Sequence, residues 1–467
     1  MSAASESLTS GGAGSDRLTR QLGKWSAIGI VVGTTIGSGI FRVPSVVAAE
    51  TGSVPGIVGV WIVGGVLSLF GALTLAELAT LHPRSGGIYV FLREAYGPRV
   101  AFLFGWTQLV LIRPSALGAI ALIFAEYLRD FAALSPGGVR FVAAWAIVAV
   151  GAVNMRSVRW GAAFENATTG VKVLALGALA LLVLAGAGMV GGAAGGEVAG
   201  SLGAGPGGPV ELARWSAYGV ALVAALWAYD GWADLTFMAG EVRDPERTFP
   251  RALGVGVFVV ITVYLLVNAA YLRVLDVPTM AASSLVASDA AERVAGPGAS
   301  LLVSGLVVIS TLGALNGAMM TGPRIFFAMA LDGLMPRSIA AVHRTYATPW
   351  ASVALATLLG VGYVSLRSFE QLAGGFVLGI WPFYALAVGA VILDRRRHPH
   401  RPRPYRVPFY PAVPVLFLAT AVGLLLAALV ETPGLTLFGF GLIALGVPAY
   451  EVARRTSDPA SPRTRPA

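Results

Sequence analysis

The chain has 467 residues, of which 56% are hydrophobic and 12% are charged, and its mean hydropathy is +0.75. This composition excludes an ordinary soluble protein, because a helix that crosses a bilayer needs about 20 mostly apolar residues and the chain supplies many such segments. Cysteine is absent, which excludes disulfides, thiolate metal sites and thiol nucleophiles. The four histidines stand in polar segments, so we expect no metal site and no cofactor.

The apolar segments alternate with loops of unequal charge. Twelve predicted spans lie at about 25–49, 55–81, 97–128, 138–154, 160–189, 214–239, 251–275, 298–330, 348–366, 370–393, 411–430 and 434–452. The two termini and every second loop hold 24 of the 33 Lys and Arg residues, and the other loops hold 6. Because cytoplasmic loops carry the excess of basic residues, we predict a multi-pass protein of the cytoplasmic membrane with both termini in the cytoplasm. The net charge of +9 therefore reflects topology and does not indicate nucleic-acid binding.

The first predicted span is interrupted at its centre by Gly33, Gly37 and Gly39. Glycine disfavours a continuous helix, and lipid cannot satisfy the backbone groups that an unwound turn releases, so the break must line a protein-walled cavity. Free N–H groups attract a carboxylate and free carbonyls attract an ammonium. An amino acid carries both groups and is the expected substrate. The alternative is that Gly33 and Gly37 only allow close helix packing.

A second break, at Asp230-Gly231, interrupts the sixth span. Breaks in spans one and six predict two inverted five-helix repeats, and matching interrupted segments are typical of a transporter binding site. The predicted units are a disordered cytoplasmic tail (1–24), the first repeat (25–189), a flexible extracytoplasmic loop (190–213), the second repeat (214–394), a basic cytoplasmic loop (395–410), helices 11 and 12 (411–453) and a cytoplasmic tail (454–467).

Several motifs resemble those of the amino acid–polyamine–organocation superfamily. They include Gly33-Thr-Thr-Ile-Gly-Ser-Gly-Ile-Phe41, Gly71-Ala-Leu-Thr-Leu-Ala-Glu77, Ala228-Tyr-Asp-Gly-Trp232 and Ser310-Thr-Leu-Gly-Ala-Leu-Asn-Gly317. Leu111-Ile-Arg-Pro-Ser115 resembles the third helix of the L-type amino acid transporter branch. The resemblance implies an all-α integral membrane protein with a LeuT-type fold. Such a fold has a five-plus-five inverted repeat and two extra helices, twelve transmembrane helices in all, and works by alternating access.

The same resemblance implies a substrate site at the two breaks. The substrate carboxylate would meet the N–H groups of Ser38 and Gly39, its ammonium would meet carbonyl groups of both breaks, and Trp227 would close over it. The predicted substrate-binding residues are Thr35, Ile36, Gly37, Ser38, Gly39, Trp227, Ala228, Tyr229 and Asp230.

Lys172 lies deep inside the fifth span, where a charged side chain usually marks a functional site. The resemblance implies that this lysine bridges spans one and eight, with Ser310 or Thr311 as its partner in span eight. Its ammonium would replace the sodium ion of sodium-coupled relatives, so we expect sodium-independent transport. A purely structural ammonium is the alternative.

Two residues, Asp230 and Arg42, leave the substrate class open. Asp230 stands where many members of the family have glycine, and it could favour a cationic side chain, bind the substrate ammonium or take up a proton. Arg42 could face the outer vestibule, pair with Glu126 or Asp230, or recruit an anionic substrate. Arg113, followed by Pro114, could neutralise an interior acid or shape a kink, and we favour a structural role.

We therefore predict a secondary transporter of amino acids, working by sodium-independent exchange or facilitated uptake, and not an enzyme. Proton symport through Lys172, Asp230 or Glu77 is the alternative, and a sensor that does not transport is a remote one. The expected partners are the amino acid and membrane lipids, the latter at the basic run from Arg395 to Arg406. Because the chain has no cysteine, we expect no disulfide-linked partner subunit. We also expect no nucleic-acid partner, since the net charge reflects topology.

Overall fold

The computed structural model describes residues 18–37, 39–129, 131–186, 209–283, 285–296, 298–431 and 433–457, and these residues form helices joined by loops. The first half contains α1 (Lys24–Thr35), α2 (Gly39–Thr51), α3 (Val54–Leu81), α4 (Ile88–Tyr96), α5 (Pro98–Thr107), α6 (Arg113–Leu128), α7 (Pro136–Arg156) and α8 (Val158–Gly186). A π-helical turn, Gln108–Ile112, joins α5 and α6 into one rod.

The second half begins with α9 (Pro209–Ala228), α10 (Asp234–Phe237), α11 (Pro245–Val274), α12 (Val277–Ala282), α13 (Val286–Ala295), α14 (Ala299–Thr321) and α15 (Pro323–Leu331). It continues with α16 (Trp350–Leu366) and α17 (Phe369–Arg397), and the chain ends with α18 (Ala412–Glu431), α19 (Pro433–Ala444) and α20 (Gly446–Ser457).

Helix covers at least part of each of the twelve predicted spans. Within the described ranges, eight helical rods are long and apolar enough to cross a membrane, and the bent pair of α1 and α2 makes a ninth. The helices in the remaining predicted spans do not meet that criterion over their described residues. The structure is thus the all-α membrane architecture that we expected, and the number of twelve crossings stays a prediction.

Local sequence signals set where several helices begin. Ser53 and Ser135 each accept a hydrogen bond from the backbone N–H three residues later, and a proline follows each in the first helical turn. Ser368 forms a capping box with Gln371 at the start of α17. These caps satisfy N–H groups that would otherwise lack a partner at the helix ends.

Helix α1 is at the centre of the fold and packs against α8, α11 and α14. Its residues Ala27, Ile30 and Val31 are completely buried. A helix that is surrounded in this way has few lipid-facing positions, so its polar break is enclosed by protein.

Two segments differ from the expected organisation. Helix α4 occupies part of a predicted loop, where its buried Ile88, Tyr89 and Phe91 form one apolar face. The end of the predicted disordered tail is ordered, since Leu22 pairs with Val242 in an isolated parallel bridge. The end of the predicted first repeat (187–189), most of the predicted loop (190–208) and parts of the two predicted tails (1–17 and 458–467) lie outside the described residues.

Candidate functional site

The first break separates α1 from α2 at Ile36 and Gly37, and the two helices meet at an angle of 43°. Ser38, which we predicted to bind the substrate carboxylate, lies outside the described residues. The Ser310 hydroxyl of α14 donates to the carbonyl oxygens of Ile36 and Gly37 at 3.5 and 3.4 Å. Long bonds of this kind hold the unwound carbonyls weakly.

The second break, between α9 and α10, packs directly on the first. Gly231 has a φ of +115°, a conformation that favours glycine, and the Thr34 hydroxyl donates to its carbonyl oxygen at 3.0 Å. A Cβ atom on Gly39 would come within 2.6 Å of the Cα atom of Ala228. Glycine is therefore required for this close approach of the two backbones.

Tyr264 of α11 connects the two breaks from the other side. Its hydroxyl lies 2.9 Å from the carbonyl oxygen of Thr35 and 2.9 Å from that of Ala228. A phenol has one proton to donate, so at any moment one of these two carbonyls can still accept a hydrogen bond from another group.

A cavity of about 70 Å³ lies between the breaks. Its lining includes Thr34, Thr35, Gly37, Gly39, Arg113, Trp227, Ala228, Asp230, Gly231, Asp234 and Phe376. The Tyr384 hydroxyl donates to the Asp230 carboxyl group at 2.7 Å. The cavity thus combines backbone groups of both breaks with acidic and basic side chains, a combination that suits a small zwitterion.

Arg113 lies on the cavity wall and is almost completely buried. It is 3.4 Å from the Asp234 carboxylate and 3.3 Å from the carbonyl oxygen of Ala318. Its Nε atom has no hydrogen-bond partner among the described residues. The pairing with Asp234 neutralises an interior acid, which is one of the two roles that we considered for this arginine.

Trp227 separates the central cavity from a second, apolar cavity of about 330 Å³. Its ring packs edge-on against Phe369, with ring centroids 5.9 Å apart. The guanidinium of Arg42 lies over the Phe369 ring, 4.5 Å from the ring centroid. It also forms an ion pair with Glu126 at 3.4 Å. Of the pairings that we considered for Arg42, the structure has the one with Glu126.

Lys172 projects from α8 into the centre of the fold and is completely buried. Its Nζ atom donates to the carbonyl oxygen of Gly33 at 2.8 Å, three residues before the first break. A Cβ atom on Gly313 of α14 would lie 2.9 Å from the same Nζ atom. The ammonium therefore lies where α1, α8 and α14 meet.

Comparison with known proteins agrees with this geometry. The family model described as amino acid permease matches residues 22–445. The chain is 32% identical over 420 residues to the b(0,+)-type amino acid transporter 1 of Mus musculus, covering 89% of this chain and 84% of that protein. The chain belongs to the amino acid permease family.

Two other relatives of this permease broaden the comparison. It is 30% identical to the serine/threonine exchanger SteT of Bacillus subtilis (strain 168), which covers 86% of this chain and 89% of that protein. It is 31% identical to the human cystine/glutamate transporter, with coverage of 93% and 85%. The permease is therefore a multi-pass membrane transporter of amino acids with a LeuT-type fold, and not an enzyme.

Two sequence-based assignments within the permease site need correction. Tyr229 does not line the central cavity; its hydroxyl donates to the carbonyl oxygen of Trp61, and the side chain is buried between helices. Thr311 donates to carbonyls of its own helix. Among the described residues, neither Ser310 nor Thr311 shares a hydrogen bond with Lys172, although Ser310 does reach the break.

Glu77, which we considered as a titrating group, is held by basic side chains and a backbone N–H of the loop after α17. Arg395 binds both of its carboxylate oxygens at 2.9 and 2.6 Å, and the backbone N–H of Val407 donates to it at 2.8 Å. Arg403 lies 3.2 Å away. Part of the basic run that we assigned to lipid contact thus holds the loop after α17 against α3.

Sequence reasoning missed four polar groups of the permease interior: Glu165, Tyr264, Asn316 and Tyr384. All four are buried, and Asn316 donates to Glu165 at 2.8 Å. The tyrosines gave no signal, because tyrosine is common in apolar helices. Glu165 did give a sequence signal. It lies seven residues, or two helical turns, before Lys172, so both side chains lie on one face of the helix.

Proposed function

We propose that this permease exchanges amino acids across the cytoplasmic membrane without sodium. The observation that carries the proposal is the hydrogen bond of the buried Lys172 ammonium to the Gly33 carbonyl, next to the first break. A lysine ammonium at this position would perform the structural task of a bound metal cation, which is to neutralise exposed carbonyl dipoles. The printed name of one relative, a serine/threonine exchanger, supports exchange.

The two breaks offer complementary groups to a zwitterion. The substrate carboxylate would bind N–H groups at the start of α2, beginning with Gly39, where the helix dipole also favours an anion. The substrate ammonium would bind whichever of the Thr35 and Ala228 carbonyls does not receive the Tyr264 proton. Asp230 and Arg113 line the remaining wall and would face the substrate side chain.

Topology and assembly complete the proposal. The excess of Lys and Arg in alternate loops supports a topology with both termini in the cytoplasm. Because the chain has no cysteine, it would work without a disulfide-linked partner subunit. Its contacts outside the substrate would be with membrane lipids.

The test is uptake of radiolabelled amino acids into proteoliposomes in sodium-free buffer. One set of vesicles is loaded with unlabelled amino acid and a matched set is empty. Uptake into loaded vesicles alone supports exchange, and stimulation by added sodium would contradict the proposal. Uptake into empty vesicles that requires acid outside would instead establish proton symport, and ligand-induced thermal stabilisation without uptake would establish a sensor.

A further inference from the structure

Polar side chains form a continuous row along one face of α8, between α1 and α14. The row consists of Glu165, Thr168, Thr169 and Lys172. Glycines on the two facing helices make room for it: Gly33 of α1 lies against Glu165 and Thr169, and Gly317 of α14 lies against Glu165. A Cβ atom on Gly317 would lie 3.3 Å from each carboxylate oxygen of Glu165. The carboxyl group thus occupies a slot between the two helices.

Glu165 is completely buried and has too few hydrogen bonds for a carboxylate. Its Oε2 atom accepts a bond from the Asn316 side chain at 2.8 Å. Its Oε1 atom has no hydrogen-bond partner among the described residues. An ionised carboxylate that is buried with a single neutral donor is costly, whereas the protonated acid leaves only one polar hydrogen to accommodate.

Lys172 is the other charged side chain of the buried row on α8. Helix α1 presents glycine and threonine, α14 presents Asn316, and α7 presents Asn154, which donates to Asn316 at 2.9 Å. The Tyr264 hydroxyl of α11 is engaged with the two breaks. On α13, Asp289 accepts a hydrogen bond from Ser283 and Arg293 donates to the carbonyl oxygen of Val274 at the end of α11, so both have partners outside the row.

The Lys172 ammonium donates a hydrogen bond to the Gly33 carbonyl, so in this conformation α1 and not Glu165 supplies its hydrogen-bond acceptor. Alternating access requires helices at the substrate site to move relative to their neighbours. If α1 moves away from α8, the ammonium loses the Gly33 carbonyl. Glu165 is the acidic side chain of the same buried row, and its ionised carboxylate would then satisfy the ammonium.

We propose that Glu165 is a proton-binding site that holds a proton while Lys172 is bonded to Gly33 and releases it to water when α1 moves away. The released form is a carboxylate paired with the Lys172 ammonium, and one proton returns to Glu165 when α1 comes back. Because exchange reverses this movement in every cycle, the proton makes no net crossing. Protons therefore control the rate of exchange and do not drive it.

The proposal uses the exchange activity proposed above as its readout. Acid favours the bound form, so the exchange rate of the wild-type protein should fall toward acid pH, by up to about tenfold per pH unit for a single titrating proton. Glu165→Gln imitates the protonated acid and should give a slow rate that no longer depends on pH. The matched control is Glu246→Gln, which removes an exposed carboxylate from the first turn of α11 and should keep the wild-type profile.

A Glu165→Gln protein that exchanges with the wild-type pH profile would overturn the proposal. If that variant does not fold, Glu165→Asp keeps the carboxyl group and should shift the profile along the pH axis; an unshifted profile would overturn the proposal as well. An infrared spectrum provides a readout that does not depend on transport. The carbonyl band of a protonated buried carboxylic acid should be present in the wild type and in the Glu246→Gln control, and its absence from both would overturn the assignment even if exchange is confirmed.

Discussion

The Nζ atom of Lys172 lies 2.8 Å from the carbonyl oxygen of Gly33. This bond connects the middle of α8 to the end of α1, where the helix loses its regular hydrogen bonds. Removing the lysine leaves a buried carbonyl without its donor, which costs about 1–3 kcal/mol, and removes the cation from the break.

Lys172→Met should therefore lower the exchange rate by about tenfold or more, which corresponds to about 1.4 kcal/mol in the barrier. The measurement is counterflow into loaded proteoliposomes, normalised to the amount of inserted protein. Lys24→Met, a change of the chain's other lysine at the start of α1, is the matched control and should leave the rate unchanged. Equal rates for both variants would show that the bond is unimportant for exchange.

Asp230, in the wall of the central cavity, accepts a hydrogen bond of 2.7 Å from the Tyr384 hydroxyl. Tyr384→Phe and Asp230→Asn should each weaken substrate binding by about tenfold, in line with about 1.5 kcal/mol for a hydrogen bond that involves a carboxyl group. Because the two residues act through one bond, the double variant should be little weaker than either single variant. The affinities are measured by ligand-induced thermal stabilisation. Tyr346→Phe, in an exposed loop, is the control. Additive effects of the two single changes would indicate that Asp230 and Tyr384 have separate roles.

Gly39 is the point of closest approach between the two breaks. A Cβ atom there would lie 2.6 Å from the Cα atom of Ala228, so Gly39→Ala must separate the two backbones, at a cost of about 1–3 kcal/mol. We expect a lower melting temperature and loss of substrate binding. The control is Gly59→Ala in α3, which adds the same methyl group in open space and should behave like the wild type. A Gly39→Ala protein with wild-type melting temperature and substrate binding would mean that the breaks can separate easily.

His82, at the end of α3, should make the protein less stable in acid. Burial is the main cause that lowers the pKa of its imidazole, and the nearby Arg401 lowers it further. The unfolded chain takes up the proton near pH 6.5, while the folded protein takes it up only at lower pH. Stability from this group is therefore complete above about pH 6.5 and decreases as the pH falls toward the lowered pKa.

The measurement for His82 is the melting temperature of the purified protein between about pH 8 and about pH 5. His82→Gln should reduce the loss of stability on the acid side. His400→Gln, in the exposed segment after α17, should leave it unchanged. Identical acid-side losses in both variants would assign the effect to other groups.

The sequence was sufficient to predict features that depend on local chemistry. Glycines at residues 33, 37 and 39 disfavour helix wherever they lie, so the first break could be predicted from that stretch alone. The contacts of each side chain beside a break could not, because they depend on helices that are distant in the sequence. Tyr229 still donates its N–H to the Ala225 carbonyl, as in a regular helix, and its hydroxyl donates to the Trp61 carbonyl of α3.

The spacing from Lys172 places Glu165 on the same face of α8, but its partners could not be predicted from the sequence. Its slot is formed by Gly33 and Gly317, which are far from it along the chain and meet it only in the folded protein. Helix α4 was missed for a different reason: its nine residues are too few to give a clear helical period, although glycines mark both of its ends.

The bridge between Leu22 and Val242 sets an order for the assembly of the protein on the ribosome. The N–H groups of Gln21 and Leu22 donate to the Glu241 carbonyl, and the N–H of Arg243 donates to the Leu22 carbonyl. Synthesis proceeds from the N-terminus, so the first helix enters the membrane long before its tether exists. The segment that leads into α1 can dock only after more than half of the permease has been translated.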